Sequence, residues 1–250
     1  MKKITAIAIC ALAMAVIASG CVSVNLSPSL QGGSIVSGSG SPEVFTFNVG
    51  EIKEILIEFQ CNIEYYSSRS DVVTLEIQPN LMEYISVEES DGILAVRSTM
   101  AAISIPTGRS PVLTVWAPEL SRVSLRGAGV FTAHDKISVD SFSIDLAGAG
   151  NGNAELEVGT LSVSMSGAGG FTLSGTAETA DFSLAGAGSI EALDLQTRHA
   201  NVNLAGVGSV RISCSENLRV SAGGVGSVEY RGSPTVDTSH GGLVSVRRVD

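Results

Sequence analysis

Val163-Ser164-Met165-Ser166-Gly167-Ala168-Gly169 and Phe182-Ser183-Leu184-Ala185-Gly186-Ala187-Gly188 are two copies of one phrase, and their reading decides the fold. The same phrase recurs around Gly127-Ala128-Gly129, Gly148-Ala149-Gly150, Gly206-Val207-Gly208 and Gly224-Val225-Gly226, and in degenerate form at Gly241-Gly242. The leading glycines, at 127, 148, 167, 186, 206, 224 and 241, are 21, 19, 19, 20, 18 and 17 residues apart. Apolar residues alternate with polar ones before each pair, and often after it, as in Ser209-Val210-Arg211-Ile212. A unit of this length cannot bury its own apolar side, so it must stack on copies of itself. Period-two alternation without helical runs excludes the helical solenoids and predicts parallel strands stacked ~4.8 Å apart, a β-helix with rungs of about 19 residues. Seven rungs give on the order of 30 Å of length. Glycine suits a corner that needs positive φ or close contact with the rung above. The pairs Gly127 and Gly129, Gly148 and Gly150, Gly167 and Gly169, Gly186 and Gly188, Gly206 and Gly208, and Gly224 and Gly226 are therefore read as structural columns, with Ala or Val packed between them.

Upstream, residues 43–120 carry less regular strand patterns, among them 44–49, 55–59, 72–77, 94–96 and 112–116, with one short helical turn at 80–85. Together with 121–250 they are expected to form a single all-β body over 43–250. Residues 21–42, rich in Ser, Gly and Pro, read as a tether reaching on the order of 25 Å. The first twenty residues, with Lys2, Lys3, an apolar run from Ile4 to Ile17 and Ala18-Ser19-Gly20 before Cys21, form an export signal, and the run is shorter than the ~20 residues of a spanning helix. Ile17-Ala18-Ser19-Gly20-Cys21 resembles the bacterial lipobox, which makes Cys21 the lipidation site, with Ala18 standing where leucine is usual. Val22 is not the aspartate that retains lipoproteins at the inner membrane, so outer membrane or cell surface is expected.

Formal charge is −10, and removal of Lys2 and Lys3 with the leader takes Lys plus Arg from 15 to 13 and the balance to −12. Such a chain repels nucleic acid. Cys61 and Cys214 remain in the body; if rungs stack in sequence order they lie too far apart for a disulfide, and two separately buried thiols are expected. The glycine pairs are not a nucleotide loop, because no helix follows them. Calcium β-rolls need aspartate in a nine-residue repeat, whereas Asp145, Asp181, Asp194 and Asp237 fall at scattered registers. His134, His199 and His240 lie in different units with no metal-ligand spacing. Asp140 and Asp145, five apart, point to opposite faces and lack an evident basic partner. No metal, no cofactor and no catalytic residue are expected.

The exported region resembles the family of the putative auto-transporter adhesin with the head GIN domain. The resemblance rests on Val36-Ser37-Gly38-Ser39-Gly40, on Asn80-Leu81-Met82-Glu83-Tyr84-Ile85 followed by Asp91-Gly92-Ile93-Leu94-Ala95-Val96, and on Ala117-Pro118-Glu119-Leu120 running into the first repeat. It covers residues 36–248, without the Gly-Ile-Asn tripeptide of the family's name. It implies a right-handed parallel β-helix shaped like the pectin lyases but lacking their catalytic residues, and a role in adhesion at the cell surface. The expectation is a lipid-anchored envelope protein, bound to the membrane through Cys21, whose outward Ser, Thr, Asn and Asp ladders bind a glycan or a surface protein. The alternatives are a passive structural lipoprotein and a polysaccharide-active β-helix enzyme.

Overall fold

The structure is a computed structural model that describes residues 35–250 apart from 101, 102, 107 and 109; the leader, Cys21 and residues 21–34 of the tether lie outside the described residues. Strand makes up 70% of the described residues and helix 2%, in a parallel β-solenoid of about 7 turns with rungs about 19 residues apart. The repeats stack as the sequence pattern requires. Ala149 pairs with Ala168, Ala168 with Ala187, Ala187 with Val207 and Val207 with Val225, so the glycine pairs superpose rung on rung. Alternation turns every second residue inward: Val163, Phe182, Val202 and Val220 are buried, and Phe131, Phe142 and Phe171 fill the interior beside them. Burying each such aliphatic or aromatic side chain contributes ~1.5–3 kcal/mol, which offsets the entropy of ordering the rung.

Close approach, rather than a turn in the left-handed region, is what demands glycine at the leading position. A Cβ on Gly148 would stand 1.7 Å from the carbonyl oxygen of Gly127, and one on Gly186 would stand 1.8 Å from that of Gly167. The residue between the glycines does not pack between them as the sequence pattern suggested. Strand alternation points it to solvent, and Val207, Val225 and Leu243 are 59%, 47% and 81% exposed. In the last unit the leading position belongs to Gly242, not Gly241: Val225 pairs with Leu243, and a Cβ on Gly242 would meet the Gly224 carbonyl oxygen at 2.1 Å.

The N-terminal part departs from sequence order. The rung of Glu54–Ile57 and Asn62–Tyr66 lies between the rung of Ile93–Ser98 and Val112–Trp116 on one side and that of Arg122–Leu125 and Ala128–Ala133 on the other. The chain therefore lays down the second layer first, runs outward to build the end, and returns across it through residues 117–121. Along that return Ala117 N–H donates to the Tyr66 carbonyl and Ser121 N–H to the Lys53 carbonyl. The buried Tyr65 hydroxyl holds the same crossing by donating to the Ala117 carbonyl at 2.9 Å. Antiparallel strands close this end: Ile85–Ser90 pairs with Ile93–Ser98, Val72–Ile77 with Val112–Trp116, and Glu43–Asn48 with Val72–Ile77. The one helical turn, Pro79–Met82, buries Leu81 there. Val36–Ser37, within the stretch read as tether, pairs parallel with Ile103–Ser104.

Cys61 and Cys214 are buried and free. The broken rung order leaves them far apart: from Cys61 the stack passes Gly129, Gly150, Gly169 and Gly188 before reaching Gly208 in the coil of Cys214, on the order of 24 Å at ~4.8 Å per step.

Candidate functional site

Counting back from each leading glycine finds two polar columns side by side, outward-facing from Asp145 and Ser143 onward. The residues three before it, Ser124, Asp145, Ser164, Ser183, Asn203 and Ser221, stack directly upon one another, and Ser239 continues them three before Gly242. The residues five before it form a parallel column in which Ser143, Ser162, Asp181, Asn201, Arg219 and Asp237 succeed one another. Asp181 and Asp237 thus share a column three rungs apart, where the sequence had suggested scattered registers. Together the columns make a flat polar face along the solenoid, with a groove of about 420 Å³ over Ser162, Ser164, Asp181, Ser183, Asn201 and Asn203.

Within this groove the polar groups are almost unused. Asn201 Nδ2 donates to Asp181 Oδ1 at 2.7 Å; among the described residues, Ser162, Ser164, Ser183, Asn203 and Ser221 make no side-chain hydrogen bond or ion pair. Besides Asp181, charge enters at the two ends. At one, Arg122 Nε and Nη2 both donate to Asp145 Oδ2, at 2.9 and 2.7 Å, which supplies Asp145 with the partner the sequence did not reveal and holds the guanidinium pKa up. At the other, Arg219 Nε stands 3.6 Å from Asp237 Oδ2.

Two other outward columns spend their charged groups on each other. After the glycine pairs, Arg211 lies 3.1 Å from Glu191 and 3.0 Å from Glu229, and Arg247 pairs with Glu229 from the next rung. The hydrogen bond from Arg247, with help from Arg211, holds the Glu229 carboxyl below the usual carboxylate range. Further round, Arg198 sits 2.7 Å from both Glu178 and Glu216 and lowers the Glu216 pKa through its hydrogen bond. These ladders neutralise repulsion between identical positions stacked a strand apart, a structural task.

Histidine falls into the same pattern. His134 contacts Glu64 and stacks on Tyr66 at 4.6 Å between centroids, with Trp116 beyond at 6.1 Å. This aromatic ladder spans three rungs that are out of sequence order, which is why no local motif announced it. His199 hydrogen-bonds Asn217 through Nδ1 at 3.0 Å. Among the described residues, no three His, Cys, Asp or Glu side chains converge as a metal site would need. Asp140 is exposed within the strand Ile137–Leu146 and does not line the groove.

Comparison with known proteins agrees with the fold. Residues 52–234 match the family described as "Putative auto-transporter adhesin, head GIN domain". A protein of Bacteroides fragilis described as an adhesin, known from its crystal structure, is 25% identical, is covered over 100% of its length by 86% of this chain, and superposes with a TM-score of 0.79. One from Parabacteroides distasonis, also described as an adhesin, is 20% identical with a TM-score of 0.66 over 86% of this chain and 100% of its own. A second protein of that organism, described as lipid binding, is 22% identical with a TM-score of 0.62 over 87% and 100%. The latter two show the fold. No curated protein matches the chain.

Proposed function

The chain belongs to the head GIN domain family of auto-transporter adhesins, and from that premise we propose that it is a non-catalytic binding protein of the cell envelope, anchored by a lipid on Cys21 and displayed at the outer membrane or cell surface. The binding surface is the polar face that precedes the glycine corners. One observation carries this reading: the central rungs of this face leave hydroxyl and carboxamide groups free side by side over a groove, whereas the charged columns of Arg198 and Arg211 pair internally. Unsatisfied polar groups at the surface are solvated at no cost and become available to a partner, while an ion-paired ladder must be broken before it can bind anything.

The same geometry argues against hydrolysis at this face. Asp181 and Asp237 are three rungs apart, ~14 Å, beyond the ~5–10 Å that two carboxylates acting on one glycosidic bond require. Asp145 already accepts two hydrogen bonds from Arg122 at Oδ2, so that oxygen is taken up by an internal contact.

The anchoring part of the reading is tested by replacing Cys21 with Ala and following labelled fatty-acid incorporation together with protease shaving of intact cells. Label that disappears with the cysteine, and a wild-type body that is shaved, is the expected result. A wild type that takes up no label refutes the anchor; one that is labelled but resists shaving refutes surface display.

A further inference from the structure

We propose that the ligand of the polar face is an extended, uncharged polysaccharide strand lying parallel to the solenoid axis; this rests on the assignment of that face as the binding surface. Four properties of the surface select this ligand class.

Period comes first. Ser164, Ser183, Asn203 and Ser221 place one uncharged hydrogen-bonding group on each successive rung at the strand spacing, ~4.8 Å. That step is close to the advance of one pyranose ring in an extended β-linked glycan, so successive sugars meet equivalent hydrogen-bond groups. An extended peptide advances ~3.4 Å per residue with side chains alternating between its two sides, and it loses register with the ladder within two rungs.

The groups themselves also fit. Hydroxyls and carboxamides both donate and accept, which matches sugar hydroxyls, themselves donors and acceptors. None of these four residues is engaged within the protein, so binding breaks no internal bond.

Charge narrows the class further. The groove is lined by one acidic residue, Asp181, and one basic residue, Arg219, which stands against Asp237, and the exported chain is acidic overall. Anionic polymers such as nucleic acid or polyuronate are repelled from it.

Finally, an apolar ridge borders the ladder. The residues between the glycines, Ala149, Ala168, Ala187, Val207 and Val225, form an exposed column along the same corner. Small side chains keep the ridge low, so a sugar seated on the ladder can rest C–H bonds on it, as amphipathic pyranose rings do on apolar surfaces.

The test uses the exported chain, residues 21–250, titrated with cellohexaose and chitohexaose as extended neutral probes, cellobiose as a short one, and a hexagalacturonate as a charged one. The variants are Ser183→Lys combined with Asn203→Lys on the face, and Asn153→Lys, exposed on the surface beyond the corner, as control. Thermal unfolding is recorded for each so that lost binding is not lost folding. The expected result is binding of at least one neutral hexamer, at least tenfold tighter than the dimer, weakened tenfold or more by the face variant and unchanged by the control. Preference for the hexagalacturonate, or equal binding by the face variant, overturns the proposal. The surface assignment is read separately from attachment of cells displaying each variant to immobilised envelope and host-surface material. Attachment lost in the face variant while no hexamer binds means that the ligand class is wrong and the surface right. Attachment retained in the face variant sinks both.

Discussion

Residues 121–250 and residues 35–120 build one solenoid by two different rules. In the C-terminal part the rungs repeat in parallel, and the segments around each glycine corner sit directly beneath their counterparts, with register shifts between Thr172 and Ser174, Ala192 and Gln196, and Thr197 and His199. In the N-terminal part the chain places Glu54–Ile57 and Asn62–Tyr66 between layers that come later in sequence, then closes the end with antiparallel strands. The difference teaches what each part is for. A parallel stack exposes an unpaired edge at its end, and the antiparallel strands cover it with acidic and polar residues such as Glu43, Thr46 and Glu88. Repetition, by contrast, produces straight columns of like groups, which is what a ladder for a repeating ligand needs.

The sharpest way to break the comparison is at neighbouring glycines. In the ladder, Gly224→Ala would put a Cβ 2.0 Å from the Gly206 carbonyl oxygen, whereas nothing lies within 4 Å of one on Gly223. Backbone held from both sides cannot yield, so Gly224→Ala is expected to cost more than ~3 kcal/mol, above the usual overpacking range, and Gly223→Ala to lie within ~1 kcal/mol of wild type. Urea unfolding of the two variants decides it; equal stabilities contradict the close-packed corner.

A second contrast lies in the core. Phe182, 2% exposed in the ladder, should lose ~3–5 kcal/mol on truncation to Ala, and the half-buried Phe45 at the outer edge of the cap should lose visibly less. If Phe45→Ala proves the more damaging, the cap rather than the ladder nucleates the packing.

The head also carries a pH-dependent feature. Burial pushes the Cys61 thiol from an ordinary 9.0 to about 12, against a smaller opposing effect of a backbone hydrogen bond from Leu113. A group kept neutral when folded but ionised when unfolded withdraws stability as pH rises: full stability is expected below about pH 8.5, with a progressive loss between there and 12. Cys61→Ala should flatten that alkaline limb. Aromatic thiol reagents should leave Cys61 unlabelled at pH 8 until the protein unfolds.

The smallest effect is expected from the exposed ion-pair ladder. Because Glu229 titrates below its usual value, its contribution is present above an ordinary carboxylate pKa and is lost as pH falls through the lowered one. Glu229→Gln should therefore change stability only slightly at neutral pH and reduce its acid dependence, measured by melting between pH 7 and 3.

How much of this was legible beforehand follows from the same contrast. Gly-x-Gly spacing and period-two alternation suffice for the solenoid and its rung length, because repetition makes local pattern and global register the same information. Counting three and five residues back from each glycine yields the columns of Ser164, Ser183 and Asn203 without coordinates. Legibility fails where partners are distant in sequence for no repeated reason. Arg122 reaches Asp145 by a diagonal across one rung, and Trp116, Tyr66 and His134 meet only because the second layer was laid down first. Asn62–Tyr66 and Ile85–Ser90 were missed as strands, since nothing in their composition marks them off from their surroundings.

Attachment of cells displaying the wild-type chain and the Ser183→Lys, Asn203→Lys variant tests the central claim most directly. The account predicts a fall of at least tenfold in attachment to immobilised envelope and host-surface polymers, with surface display and melting temperature unchanged and Asn153→Lys behaving as wild type. Attachment of the face variant equal to that of the wild type would contradict it.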